Sequence, residues 1–253
     1  MTALLDVRDL YRSFGAFVAV AGVSVCVAEH EVVGIIGSNG AGKTTFVNMV
    51  TGYLAPSRGI IRFRDRDITG RSPRHLIGCG ISRSFQVPQV FASASVLDNL
   101  LIALGIAEDG GFPVWHPLRR GERVARATAI LEAYGIASYS EQRASLLPQG
   151  IRKLLDIAMA TVRAPDLLLL DEPTSGISAG EKFAVMDTIM TELRARKTTV
   201  LFIEHDMEII CRYANRVLAF ADGIIIADAT PEAAIKDREV RRRVVGERIE
   251  VAA

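Results

Sequence analysis

Apolar residues along the chain fall into short unbroken blocks, and stretches of helical spacing separate them. EVVGIIG (31–37), DLLLLD (166–171) and TTVLFIE (198–204) are apolar on both alternating faces, as expected of strands covered on two sides. GIIIA (223–227) has the length of another buried strand. TFVNMVTG (45–52) has helical spacing and ends at Gly52, a residue suited to closing a helix. Alternation of strand-like and helix-like blocks predicts an α/β protein with a parallel sheet. The opening part, through about Arg66, alternates polar and apolar residues and predicts an antiparallel sheet beside that core.

From about Val87 to Ala164 the texture becomes helical, as in VLDNLLIALG (96–105) and RVARATAILEAYG (123–135). A Gly- and Pro-rich loop, EDGGFPVWHPLRRGE (108–122), interrupts it and carries Phe112 and Trp115. The expected organisation is one domain over 1–253. Its core is 1–86 and 165–253, and a helical subdomain, 87–164, is inserted.

Composition narrows the class. The 253 residues carry a formal net charge of +1, which argues against a nucleic-acid binder that relies on phosphate neutralisation. Cys26, Cys79 and Cys211 are odd in number and lack metal-ligand spacing, so they are expected to be reduced and structural. The acidic, discontinuous N-terminus does not fit a secretory signal. No block approaches the roughly 18 apolar residues of a membrane span, so any membrane role is expected to be peripheral.

The chemistry begins at GSNGAGKT (37–44), which matches G-x-x-x-x-G-K-[ST] between a predicted strand and a predicted helix. Glycines there let the backbone curl so that several N–H groups face a phosphate, backed by the helix N-terminus. Gly37, Ser38, Asn39, Gly40, Ala41, Gly42, Lys43, Thr44 and Thr45 are the expected nucleotide-binding residues. Lys43 would reach the β- and γ-phosphates, and the Thr44 hydroxyl would ligate Mg²⁺. LLLLDEP (167–173) places Asp171 and Glu172 at the end of an apolar strand, where α/β sheets bind ligands. Asp171 would hold the Mg²⁺ shell, through water, and Glu172 would polarise the attacking water as general base. His205 follows TTVLFIE and could donate to a γ-phosphate. Gln86 follows GISRSF and could sense Mg²⁺ or water through its amide.

The order of these features resembles the ATP-binding-cassette (ABC) ATPases, over nearly the whole chain from about Leu4 to Glu247. The resemblance implies a P-loop NTPase core using ATP and Mg²⁺. It puts Gln86 on the family's Q-loop, Asp171 and Glu172 on its Walker B motif, and His205 on its switch histidine. Phe14, in YRSFGAF, falls on the aromatic that stacks on adenine, with Tyr11 as the rival. More narrowly, NGAGKTT, GISRSFQ, IEHDMEII and the tail TPEAAI…EVRRRVVGE resemble importers of branched-chain amino acids and related amide or urea substrates. Arg241, Arg242 and Arg243 within that tail are expected on a solvated helix face. The implied partners are membrane permease subunits, a second ABC ATPase subunit and, indirectly, an extracellular solute-binding protein, with no nucleic acid. The implied location is the cytoplasmic face of the inner membrane. An exporter or lipid-extraction ATPase, or a soluble non-transport ABC ATPase, is the alternative.

One motif departs from the family. The family's LSGGQ caps the ATP held by the opposite subunit, and the matching residues here are Leu147, Pro148, Gln149, Gly150 and Ile151. RKLLDIAMA (152–160) keeps the spacing of a helix that Pro148 can precede at little cost. Replacing the serine by proline removes a hydrogen bond to charged phosphate, about 1.5–3 kcal/mol. The Gly150 N–H and the helix dipole remain, so the signature is expected to be weakened rather than dead. Ser178 likewise stands where the family often places an acid. Together these departures imply a heterodimer whose partner brings an intact signature.

Overall fold

A computed structural model of the chain describes residues 3–109 and 117–245. In chain order, β1 (Ala3–Phe14), β2 (Phe17–Ala28), β3 (Val32–Gly37), α1 (Lys43–Val50), β4 (Arg58–Phe63), β5 (Arg66–Asp67), α2 (Pro73–Cys79) and β6 (Ile81–Ser84) come first. Then follow α3 (Val96–Asp109), α4 (Gly121–Ala133), α5 (Gln149–Ala160), β7 (Leu167–Asp171), α6 (Lys182–Ala195) and β8 (Thr199–Ile203). Last are α7 (Met207–Tyr213), β9 (Arg216–Ala221), β10 (Ile224–Ala229), α8 (Pro231–Lys236) and α9 (Arg238–Val240), with a wide π-type turn at Arg241–Val245. Phe112, Trp115 and Glu247 lie outside the described residues.

The chain forms two compact units, residues 1–81 with 199–253, and residues 82–198. In the first, β2-β1-β4-β5 make an antiparallel sheet, as the opening alternation predicts. A second ladder runs β10-β9-β3-β8, with β3 parallel to both β8 and β9. All six residues of β3 and all five of β8 are buried, because side chains cover both faces of these strands. Phe46 of α1 meets Phe220 of β9 with ring centroids 5.4 Å apart. Fully burying an apolar side chain of this size stabilises the fold by roughly 1.5–3 kcal/mol. GIIIA behaves differently from its apolar composition: β10 is an edge strand, paired on one side only, and its isoleucines are half-buried or exposed.

In the second unit β7 lies beside β6, and Leu167–Asp171 is buried throughout. In the same unit α3, α4 and α5 pack against one another, and Leu100, Leu104, Leu131, Tyr134, Leu155 and Ile157 on or beside them are buried. These helices are the ones predicted from the helical spacing of 87–164.

Cap chemistry fixes several element starts. Thr230 accepts the Ala233 N–H and Pro231 occupies the first turn of α8, which explains TPEAAI. Asp206 accepts the Glu208 N–H at the start of α7. The three cysteines form no disulfide, but Cys26 and Cys211 are exposed, so they do not serve as core residues. In the tail, Arg242 is largely exposed, whereas Arg243 is folded onto Glu239 and Asp222. Among the described residues no helix is long and apolar enough to cross a membrane.

Candidate functional site

The first unit holds the phosphate-loop residues. β3 ends at Gly37, and after a tight turn α1 starts at Lys43 with Gly42 in its N-cap position at φ +102°. Gly42 is obligatory in shape as well as dihedral: a Cβ there would lie 2.4 Å from the Ala19 carbonyl oxygen. A Cβ on Gly37 would lie 2.5 Å from the Phe220 carbonyl oxygen. The loop is therefore pressed against two neighbouring backbones. Gly40 meets nothing within 4 Å on its outer side, and Ser38, Asn39 and Thr44 are exposed.

Lys43 is buried, and its Nζ donates to the Gly37 carbonyl at 2.6 Å and the Ser38 carbonyl at 2.9 Å. The ammonium is thus held over its own loop. The first turn of α1 carries no acidic residue, so the positive end of its dipole is not neutralised there. A curled glycine loop, a positioned ammonium and an unneutralised helix start fit a polyphosphate.

His205 follows β8 and is exposed. It borders a cavity of about 150 Å³ with Ile36, Gly37, Glu204, Met207 and Val244. Thus the first glycine of the loop and the histidine share one opening. Phe14, at the end of β1, is 48% exposed with the Arg12 guanidinium 4.9 Å from its ring centroid. Tyr11 is half-buried beneath Arg58. Of the two aromatics, Phe14 offers the more open ring.

The second unit holds the carboxylates. β7 delivers Asp171 and Glu172 in sequence, and Glu172 adopts φ +46°. A left-handed backbone at a non-glycine residue stores strain of order 1–3 kcal/mol and clusters at working sites. Gln86 Nε2 donates to Glu172 Oε2 at 2.7 Å. Asp171 Oδ2 accepts from Arg83 at 2.6 Å, and both side chains are nearly buried. Within this unit Asp171 and Gln86 carry oxygen ligands of the hard type that suits Mg²⁺.

The signature segment shows what survives the proline. Pro148 sits in the N-cap position of α5 at φ −54° and ψ 152°, and supplies no side-chain cap. Gly150 faces Val185, where a Cβ would approach to 3.1 Å. The Gln149 side chain lies by Gly176, and Arg152 donates to the Leu147 and Ser145 carbonyls, bracing the turn. Ser178 donates to Glu181 at 2.7 Å.

Arg83, Lys153 and Asp156 were not expected from the sequence. Lys153 is fully buried and donates to the Phe85, Gln86 and Asp171 carbonyls. Asp156 is buried and accepts the Gln89 N–H at 2.7 Å; burial raises its carboxyl to about 6, against the hydrogen bond and the nearby Lys153 charge. The available signal was two charges three residues apart on the face of RKLLDIAMA that the apolar spacing buries. A charge on such a face must find partners inside.

Comparison with known proteins gives this geometry a context. The ABC transporter family model matches residues 20–175. The high-affinity branched-chain amino acid transport ATP-binding protein LivG of Salmonella typhimurium is 36% identical over 251 residues, covering 96% of this chain and 98% of that protein. The probable branched-chain amino acid transport ATP-binding protein LivG of Methanocaldococcus jannaschii is 34% identical, covering 92% of each chain. Among solved structures, the ADP conformation of MJ1267, an ATP-binding cassette of an ABC transporter, superposes with a TM-score of 0.86 at 31% identity, covering 98% of this chain and 100% of that one. With the phosphate loop inside the matched segment and the fold shared over its length, this chain belongs to the ABC transporter family.

Proposed function

We propose that the chain is the ATP-hydrolysing subunit of an ABC importer, coupling ATP binding and hydrolysis to uptake of branched-chain amino acids. The observation that carries this is the end-to-end likeness to LivG, 36% identity over 96% of the chain, in a chain with both the glycine loop and the Asp171–Glu172 pair.

In this proposal residues 1–86 and 165–253 form the nucleotide-binding core and 87–164 the helical subdomain. Gly37 to Thr45 bind the phosphates of ATP, and Phe14 stacks on the adenine. Thr44, Gln86 and, through water, Asp171 would hold a Mg²⁺ ion, which would neutralise phosphate charge. Glu172 takes the proton of the attacking water, and His205 donates to the γ-phosphate. Supporting these roles are the Lys43 contacts on the loop, the shared opening of Gly37 and His205 and the Gln86–Glu172 bond.

The protein partners are membrane permease subunits, which place the chain at the cytoplasmic face of the inner membrane. Because Pro148 cannot donate to phosphate, the second ATPase subunit is a different chain with an intact signature. An extracellular binding protein selects the solute. Uptake of labelled leucine, isoleucine and valine in cells lacking this chain tests the proposal, with urea uptake beside it. Loss of amino-acid uptake supports it; unchanged uptake of all four solutes overturns it.

A further inference from the structure

We infer that Lys153 is a positioning residue for hydrolysis, holding the Gln86 segment and the end of β7 together so that Gln86 meets Glu172. This rests on the roles proposed above for Gln86 and Glu172.

A lysine is almost never fully buried unless its charge is met. Moving an ammonium out of water costs several kcal/mol even after relaxation, so its donors need partners. Lys153 is 0% exposed, and its Nζ lies 2.7 Å from the Phe85 carbonyl oxygen, 3.1 Å from that of Gln86 and 3.4 Å from that of Asp171. Two of these carbonyls belong to the segment that presents Gln86. The third belongs to the residue directly before Glu172. One ammonium therefore ties together the two backbones whose side chains make the 2.7 Å Gln86–Glu172 bond.

Asp156, one turn further along α5, adds a second pin by accepting the Gln89 N–H at 2.7 Å. The segment 85–89 is thus held at both ends by one helix. Glu172, next to the Asp171 carbonyl that Lys153 holds, sits at φ +46°. A misplacement of about 1 Å at a reacting group can cost a hundredfold in rate. Lys153 touches no reacting atom, so its effect falls on turnover and leaves ATP capture by the phosphate loop alone.

The test compares Lys153→Met, which keeps the stem length but removes every donor, with Lys153→Gln, which restores an N–H donor group. Each variant is measured in the assembled transporter for phosphate release across ATP concentrations, for ATP binding and for thermal stability. Lys153→Met is expected to lower kcat by about ten- to a hundredfold with KM for ATP within about twofold. Lys153→Gln is expected to recover part of the lost kcat. A folded Lys153→Met assembly with wild-type kcat overturns the inference, as does a raised KM with kcat unchanged. Failure of both variants to fold would assign Lys153 to stability alone and overturn it too. An unmodified assembly that releases no phosphate would instead sink the ATPase proposal.

Discussion

Gln86 and Glu172 hold each other: the amide Nε2 donates to the carboxylate Oε2 at 2.7 Å. The proposed general base is therefore oriented before any water attacks the γ-phosphate, by the residue proposed to sense Mg²⁺. Replacing Glu172 by Gln keeps the shape and removes the base. Phosphate release should fall at least about a hundredfold, while ATP binding persists. A Glu172→Gln assembly that hydrolyses ATP at the wild-type rate would remove Glu172 from that role.

The glycine loop allows a sharper test of shape. At Gly42 the φ of +102° and the 2.4 Å approach of a Cβ to the Ala19 oxygen leave no room for alanine. Gly42→Ala should destabilise the fold by about 1–3 kcal/mol and weaken ATP binding by displacing Lys43. Thermal melting and an ATP titration measure both. Wild-type affinity in this variant would mean that the cradle's shape does not position the lysine.

Pro148 leaves the start of α5 without a side-chain cap. Its extended backbone already suits a serine, whose hydroxyl would accept an N–H of the first turn. Pro148→Ser should therefore be more stable than Pro148→Ala by roughly 0.5–2 kcal/mol. In a Glu172→Gln background it should also promote ATP-dependent self-association, because a donor to the opposite phosphate returns. Solution mass with and without Mg-ATP reads this directly, and a chain that stays monomeric in both backgrounds points to features beyond the proline.

Asp156 gives the fold a pH signature. Burial raises its carboxyl from the ordinary 3.8 to about 6. Between these values the folded chain binds more protons than the unfolded one, so stability from this group is full below about pH 4 and is lost as pH rises through about 6. The window is worth on the order of 2–3 kcal/mol at most. Asp156→Asn keeps an oxygen for the Gln89 N–H and cannot ionise. The melting temperature of Asp156→Asn relative to wild type should rise from pH 4.5 to pH 7.5; a pH-independent difference would sink the assignment.

Much of the fold was legible in the chain. The doubly apolar blocks at 31–37, 166–171 and 198–204 contain the buried strands β3, β7 and β8, because a strand covered on both faces accommodates such a run. Helical spacing marked α3, α4 and α5, because a period of about 3.6 residues gathers apolar side chains on one buried face. GIIIA was harder: its composition matches that of the buried strands, yet it pairs on one side only. Composition cannot say whether a strand has two neighbours.

The candidate site divides in the same way. The phosphate loop, Asp171 and Glu172 stand out in the sequence because each depends on residue type at a fixed place relative to a strand end, whereas Gln86 and His205 stand out only through the order of motifs shared with the family. Arg83 against Asp171, and Lys153 against three carbonyls, were not. Their partners are distant in sequence, and backbone carbonyls leave no mark on residue type. The sequence alone determined the buried strands β3, β7 and β8, the helices α1, α3, α4 and α5, the glycine loop and the acids at the end of β7. Tertiary structure decided which buried charges hold those acids in place, because an ammonium finds a distant carbonyl only after the chain has folded around it.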